Sequence, residues 1–149
     1  MALIFNHYVR TSTVIFSNDE LTAADMRSRM EPVAGHFPFY VAETPEGELA
    51  GYCYAHHWHP NAVYGRTWEI TIYLSHRFTG RGIGRELLGK VVEESRKAGA
   101  HTLVSCVTAG NEPCERLHRS IGFEKAGVLK AAGFKFGRYL DDVFYQLML

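Results

Sequence analysis

The chain has 149 residues, 46% of them hydrophobic and 13% aromatic, which is one domain's worth of sequence with enough apolar mass for one core. Its 16 basic and 16 acidic residues cancel, so it offers none of the positive surplus that holds a phosphate backbone or an anionic membrane, and both kinds of partner are set aside. No stretch approaches the ~20 apolar residues of a membrane span, the opening MALIFNHYVRTST lacks the basic region of a signal peptide, and Cys53, Cys106 and Cys114 form neither a metal-type pair nor an even disulfide set; a reducing cytosol is the expected compartment.

Residues 3–10, LIFNHYVR, read as a short helix, and LTAADMRSRM as a second, with Thr22 and Asp25 at capping-box spacing. FYVAE and LAGYCYAHHW are aromatic and apolar with TPEGE between them, the pattern of a β-hairpin. TWEITIYLS is a third strand. Alternation puts Trp68, Ile70, Ile72 and Leu74 on one face, and Thr67, Glu69, Thr71 and Tyr73 on the other. After a glycine-rich turn, Ile83, Leu87, Leu88, Val91 and Val92 fall on one helical stripe that stops at Gly99. HTLVSCVTA is a strand of buried type. Asn111 then caps a helix through EPCERLHRS, with Pro113 in its first turn and Gly122 as its stop. FEKAGVL and DDVFYQLML are the last two strands. The sum is one α/β (α+β) domain over residues 1–149, with hairpins first and a strand–helix–strand crossover after. No repeat or linker divides it.

Gly80, Gly82 and Gly84 lie between a strand end and a helix start, where free N–H groups and the positive end of the helix dipole make an anion site. Glycines let backbone amides approach a phosphate closely, and Arg81 and Arg85 add charge. A Walker loop is excluded because no Lys-Ser or Lys-Thr follows. A dinucleotide fingerprint has a different glycine spacing and comes early in its βαβ unit.

The window TGRGIG, residues 79–84, resembles the pyrophosphate-binding turn of the GNAT acetyltransferase superfamily: Arg or Gln, two residues, Gly, one residue, then Gly or Ala. Thr79 departs from it by removing a long polar side chain. NHYVRTSTVIF, WEITIYLSHR, RLHRSIGFEKAGVLKAAGFKFGRYLD and VFYQL extend the likeness over nearly the whole chain, in order, to the phosphinothricin acetyltransferase branch. That resemblance implies a mixed, mostly antiparallel sheet flanked by helices and lacking the usual first strand, with acetyl-CoA held in a V between central strands. It also implies a homodimer, no metal, and acetyl transfer to the α-amine of a small amino acid or analogue such as phosphinothricin, methionine sulfoximine or methionine sulfone. The alternatives are a protein or peptide amine acetyltransferase and a non-catalytic acyl-CoA sensor.

Such chemistry needs a proton acceptor for the ammonium substrate and a proton donor for the leaving thiolate. Glu69, on the polar face of an otherwise apolar strand, is partly desolvated, so its pKa tends upward as suits a base; the family places its proposed base there. His118 matches the position of the thiolate's proton donor, and an imidazole titrating near about 6.5 is competent for it. On residue type alone Glu69 also suits a cross-strand salt bridge, and His118 equally a capping or surface position on a short helix. The resemblance further implies that the backbone of Ile72, Tyr73 and Leu74 pairs with the pantetheine arm, that Gly80, Arg81, Gly82, Ile83, Gly84 and Arg85 hold the pyrophosphate, and that Asn111 and Ser120 touch the cofactor from the other side. The loop HHWHPNAVYGR is the expected acceptor wall: Trp58 and Tyr64 as sides of a pocket and Arg66 as partner of a carboxylate, with Lys135 and Arg138 as alternatives that reach a neighbouring subunit. His56, His57 and His59 lack ligand spacing for a metal, and Cys106, inside an apolar strand, reads as inert core.

Overall fold

The computed structural model describes all residues, 1–149. Helices α1 (Ala2–Thr11) and α2 (Ala23–Met30) precede strands β1 (Phe39–Glu43), β2 (Leu49–His57) and β3 (Thr67–Leu74). Helix α3 (Ile83–Lys97), β4 (Thr102–Thr108), α4 (Glu112–Ile121), β5 (Glu124–Lys135) and β6 (Arg138–Met148) follow. The expected capping box starts α2: the Asp25 N–H donates to Thr22 Oγ1 at 3.1 Å and the Thr22 N–H to Asp25 Oδ2 at 2.9 Å. Asn111 likewise caps α4, accepting from the Cys114 N–H at 3.4 Å.

The six strands form one sheet in the order β1-β2-β3-β4-β6-β5. Every neighbouring pair is antiparallel except β3–β4, which α3 connects as a parallel crossover. On one face, Cys53, Trp68, Ile70, Leu103, Val107 and Tyr145 pack against Leu87, Leu88, Val91 and Val92 of α3. On the other, Phe5, Val9, Met26 and Met30 of α1 and α2 cover Tyr52 and Tyr54. That second cover stops at β3. Beyond it Cys106 and Gln146 are exposed, and Trp58 meets Phe144 edge-on at 5.7 Å.

The last two strands are longer than the apolar pattern predicts, running on through residues 130–135 and 138–140. Alternation fails there because β5 carries a register shift between Leu129 and Gly133. Ala131 sits at φ +51° with its N–H bonded to Asp141 Oδ1 at 2.8 Å. The extension leaves Phe134, Phe136 and Tyr139 mostly exposed. No helix is long and apolar enough to cross a membrane.

Candidate active site

The β3–β4 ladder runs only from Thr67 opposite Thr102 to Glu69 opposite Val104. Past Glu69 the strands separate, and a cleft of about 1040 Å³ passes through the gap, touching both faces of the sheet. Which backbone groups face the gap follows from the strand's alternation. Thr67 and Ser75 bond toward β2, through Trp58 N–H to Thr67 O and Ser75 N–H to Ala50 O, whereas Arg66 O receives N–H groups from the β4 side. Odd-numbered residues of β3 therefore pair with β2 and even-numbered ones face β4. This corrects the expectation for Tyr73, whose main chain belongs to the β2 ladder opposite Tyr52. Ile72 and Leu74 present main chain to the gap, and the Leu74 carbonyl already accepts the Tyr8 hydroxyl at 2.8 Å.

On the helix side the cleft ends at the glycine turn, meeting Gly80, Gly82, Gly84 and Arg85. The N–H groups of Thr79, Gly80, Arg81 and Gly82 donate to nothing in the chain. Gly82, the N-cap of α3, has φ +86°, a conformation that costs a residue with a β-carbon about 1–2 kcal/mol. A β-carbon on Gly84 would come within 3.1 Å of Leu74 and 3.3 Å of Leu117, so this glycine lets the start of α3 close against β3 and α4. Asn111 and His118 line the same side. Arg81 instead lies over the Phe78 ring at 5.1 Å, Ile83 packs from the first turn of α3 against the core, and Ser120 turns back to the Leu117 carbonyl at 2.8 Å. Those three side chains do not line the cleft; only the main chain of Arg81 and Ile83 belongs to the turn.

His118 is fully buried, stacked on Tyr145 and edge-on to Phe123. Its Nδ1 is 2.8 Å from the Cys114 carbonyl, which only accepts, so Nδ1 carries the ring proton. Nε2 is buried without a partner. Burial holds the pKa of His118 below its ordinary value, against a smaller opposing pull from the Cys114 carbonyl. Burial therefore favours the neutral ring, whose one proton is engaged by the Cys114 carbonyl. Burial also raises the Cys114 thiol to about 12.

The opposite face supplies Glu69, His56, Asp142 and Cys106. Glu69 is three-quarters buried, and His56, its rung partner on β2, has Nε2 3.9 Å from the carboxylate. Burial raises the pKa of Glu69; His56 opposes that rise and Asp142 adds to it. Asp142 is raised by burial, and it accepts from Cys106 Sγ at 3.3 Å. Cys106 is therefore not core: alternation turns it to the uncovered face. Partial burial and the Asp142 carboxylate hold its thiol protonated.

The remaining expected acceptor residues stand elsewhere. Arg66 donates to the Gly99 carbonyl at 2.9 Å, at the far end of β3 from the gap. Lys135 is buried with Nζ 2.9 Å from the Ile15 carbonyl, where it anchors the segment that carries Val14 and Phe16 into the cleft. Trp58 is engaged with Phe144, Tyr64 is half-exposed against His59, and Arg138 is exposed at the tip of the β5–β6 hairpin. Tyr8, Val14, Phe16, Arg29 and Asp142 line the cleft without having been expected there. Helical periodicity identifies Tyr8 and Arg29 as residues of short helices and says nothing of a cleft some 40 residues further along the chain. No three His, Cys, Asp or Glu side chains converge as metal ligands.

A family model described as Acetyltransferase (GNAT) domain matches residues 2–144. The phosphinothricin N-acetyltransferase of Alcaligenes faecalis is 39% identical over 146 residues, which span 96% of this chain and 73% of that one. The L-methionine sulfoximine/L-methionine sulfone acetyltransferase of Pseudomonas paraeruginosa is 33% identical over 147 residues, 98% of this chain and 86% of its own. Among solved structures, the phosphinothricin acetyltransferase of Sinorhizobium meliloti in complex with AcCoA superposes with a TM-score of 0.95 at 32% identity, over 99% of this chain and 80% of that one.

Proposed function

The chain belongs to the GNAT acetyltransferase family, and from that premise we propose that it moves an acetyl group from acetyl-CoA to the α-amine of a small amino acid or amino-acid analogue. One observation carries the reading: a desolvated carboxylate on the open face and a run of free main-chain N–H groups on the helix face open onto one cleft, through a gap in the sheet. The acceptor approaches from the Glu69 side and the thioester from the glycine side.

The turn binds the pyrophosphate through main-chain N–H groups and Arg85, at the positive end of α3. The edge of β3 that β4 leaves uncovered, at Ile72 and the Leu74 N–H, takes the amide-bearing arm as an added strand. Glu69, its proton affinity raised by burial, removes a proton from the acceptor ammonium directly or through a water. The amine nitrogen then attacks the thioester carbon to give a tetrahedral adduct; as it collapses the C–S bond breaks, the electron pair leaves on sulfur, and the nitrogen gives up its second proton. His118 is the proposed donor to that thiolate. Its Nδ1–H is spent on the Cys114 carbonyl, so the proton it delivers is taken up at Nε2 within the turnover and is not stored there as a standing charge. Ammonium and thioester become amide, thiol and one released proton.

The proposal extends to a homodimer, with the exposed Phe134, Phe136 and Tyr139 of the β5–β6 hairpin as its apolar contact and Arg138 at its tip, and to a reducing cytosol, where three unpaired cysteines persist. Acetyl transfer assayed on phosphinothricin, methionine sulfone and ordinary amino acids beside acceptor peptides tests it. Turnover on the small acceptors is expected. Turnover on peptides alone would move the reading to a protein acetyltransferase, and tight acetyl-CoA binding with no transfer to any amine would make the protein a sensor.

A further inference from the structure

Besides the Cys106 thiol and the phenols of Tyr8 and Tyr73, the carboxylates Glu69 and Asp142, the imidazole of His56 and the guanidinium of Arg29 line the open-face part of the cleft. Glu69, His56 and Asp142 cluster at one end, with Glu69 and His56 on one rung and Asp142 acting electrostatically on Glu69. Arg29 stands apart, projecting from α2. Its guanidinium makes no ion pair and no hydrogen bond within the chain. It lies 5.3 Å over the ring of Phe5, and Phe5, itself buried, stands edge-on to Tyr73 at 6.0 Å. The cation thus stands beside the tyrosines of that face, its charge acting on Tyr54, Tyr73 and Tyr52 and not on Glu69; the Tyr52–Tyr73 rung lies two rungs on the same face beyond His56–Glu69. At ~3.4 Å of rise per residue those rungs are about 14 Å apart along the strand, and Tyr54, on the rung between them, feels both the Arg29 and the Glu69 charge. The nearby Tyr52 hydroxyl is buried without a partner.

This spacing selects among acceptors. An α-ammonium and an α-carboxylate share one carbon and span the least distance; an acid group at the far end of a side chain reaches further along the cleft from Glu69 toward Arg29. We infer that Arg29 receives an anionic side-chain terminus of the acceptor, a carboxylate or a phosphinate, while the α-amine sits at Glu69. The inference rests on the small-amino-acid reading above and narrows it to acidic amino acids and their analogues. A guanidinium suits the task because its fork meets two oxygens of either acid group and stays charged at every working pH.

The test compares acceptors matched in shape and different in charge, glutamate against glutamine and phosphinothricin against methionine sulfone, with the parent and with Arg29→Gln, Arg29→Lys and Arg29→Glu. Arg29 is exposed on its helix, so the variants should fold, and unchanged melting temperature and acetyl-CoA affinity check this. The parent should favour the anionic member of each pair. Arg29→Gln should lower kcat/KM for that member by ~10- to 100-fold, mainly through KM, with the neutral member little changed. Arg29→Lys should restore part of the loss and Arg29→Glu should deepen it. Equal losses on both members of a pair, or a parent indifferent to the charge, would overturn the role of Arg29 and leave acetyl transfer standing. No parent turnover on any of the four would overturn the small-amino-acid reading and this inference together.

Discussion

On the helix side of the β3–β4 gap a ligand meets main chain; on the open side it meets side chains. The glycine turn, the cap of α3 and the unpaired edge of β3 offer N–H and C=O groups whose placement depends on backbone path alone. Glu69, His56, Asp142 and Arg29 come instead from β3, β2, β6 and α2, and they meet because the sheet and α2 bring them to one cleft. The first kind of site tolerates side-chain change and is sensitive to a β-carbon or a charge in the turn. The second turns on single side chains and hardly at all on local backbone. Donor binding and acceptor chemistry should therefore be separable by substitution.

The largest separation is expected at Gly82. Gly82→Asp puts a carboxylate where the pyrophosphate is proposed to sit, and calorimetry should show acetyl-CoA affinity falling by ~100-fold or more. A β-carbon there meets nothing within 4 Å, so bulk is not the cause. Gly82→Asn, which tolerates the left-handed backbone and adds no charge, should lose much less. Similar losses in both would mean that shape and not charge governs the turn.

His118 sits behind the gap, and His118→Phe keeps its volume against Tyr145 and Phe123 while removing both ring nitrogens. Turnover should fall by ~100-fold, toward the low end for a positioned acid or base. The same variant has a stability signature. A histidine whose folded pKa lies below its unfolded value stabilises the fold above about 6.5, and that contribution is lost as pH falls from there through the lowered value. Urea titrations between pH 7 and pH 5 should show the parent losing stability along a slope that His118→Phe lacks. Parallel slopes would place the titrating group elsewhere.

Glu69 carries the opposite sign. Its folded pKa is raised, so its contribution to stability is present below the unfolded value and is lost as pH rises through the raised one. At pH 7 the buried carboxylate is a cost, and Glu69→Gln should melt a few degrees higher than the parent, an increment on the scale of about 1 kcal/mol. A lower melting temperature would show that the His56 contact outweighs desolvation. The smallest effect is expected at Arg66, bonded to the Gly99 carbonyl away from the cleft. Arg66→Ala should cost ~0.5–1 kcal/mol in denaturant unfolding and leave KM for every acceptor unchanged.

The same contrast governs what could be read from the residues alone. The helix-side site was legible because its parts are contiguous: three glycines in five positions, a strand before and an amphipathic stripe after. Glu69 was legible because period-2 alternation isolates it on the polar face of its strand. The element order followed for similar reasons, with the β5–β6 extension lost where a register shift and a positive φ at Ala131 break the alternation. The expected acceptor residues Trp58, Tyr64, Arg66, Lys135 and Arg138 do not line this cleft. Charge beside an aromatic loop marks Arg66, and charge in FKFGR marks Lys135, but nothing local announces that one bonds the chain just past the end of α3 and the other anchors a neighbouring segment through the Ile15 carbonyl. Arg29 is not legible because the ring it lies over, Phe5, and the carboxylate with which it shares the cleft, Glu69, are 24 and 40 residues away.

The separation of donor and acceptor chemistry is tested most directly by one pair of measurements on Glu69→Gln: acetyl-CoA affinity by calorimetry, and kcat for acetyl transfer across the pH range in which the acceptor amine loses its proton. Affinity should stay within about twofold of the parent, while kcat falls by ~10²–10⁴ and partly recovers at high pH as solvent takes over the deprotonation. A kcat equal to the parent's, or a loss of acetyl-CoA affinity as large as the loss of kcat, would contradict it.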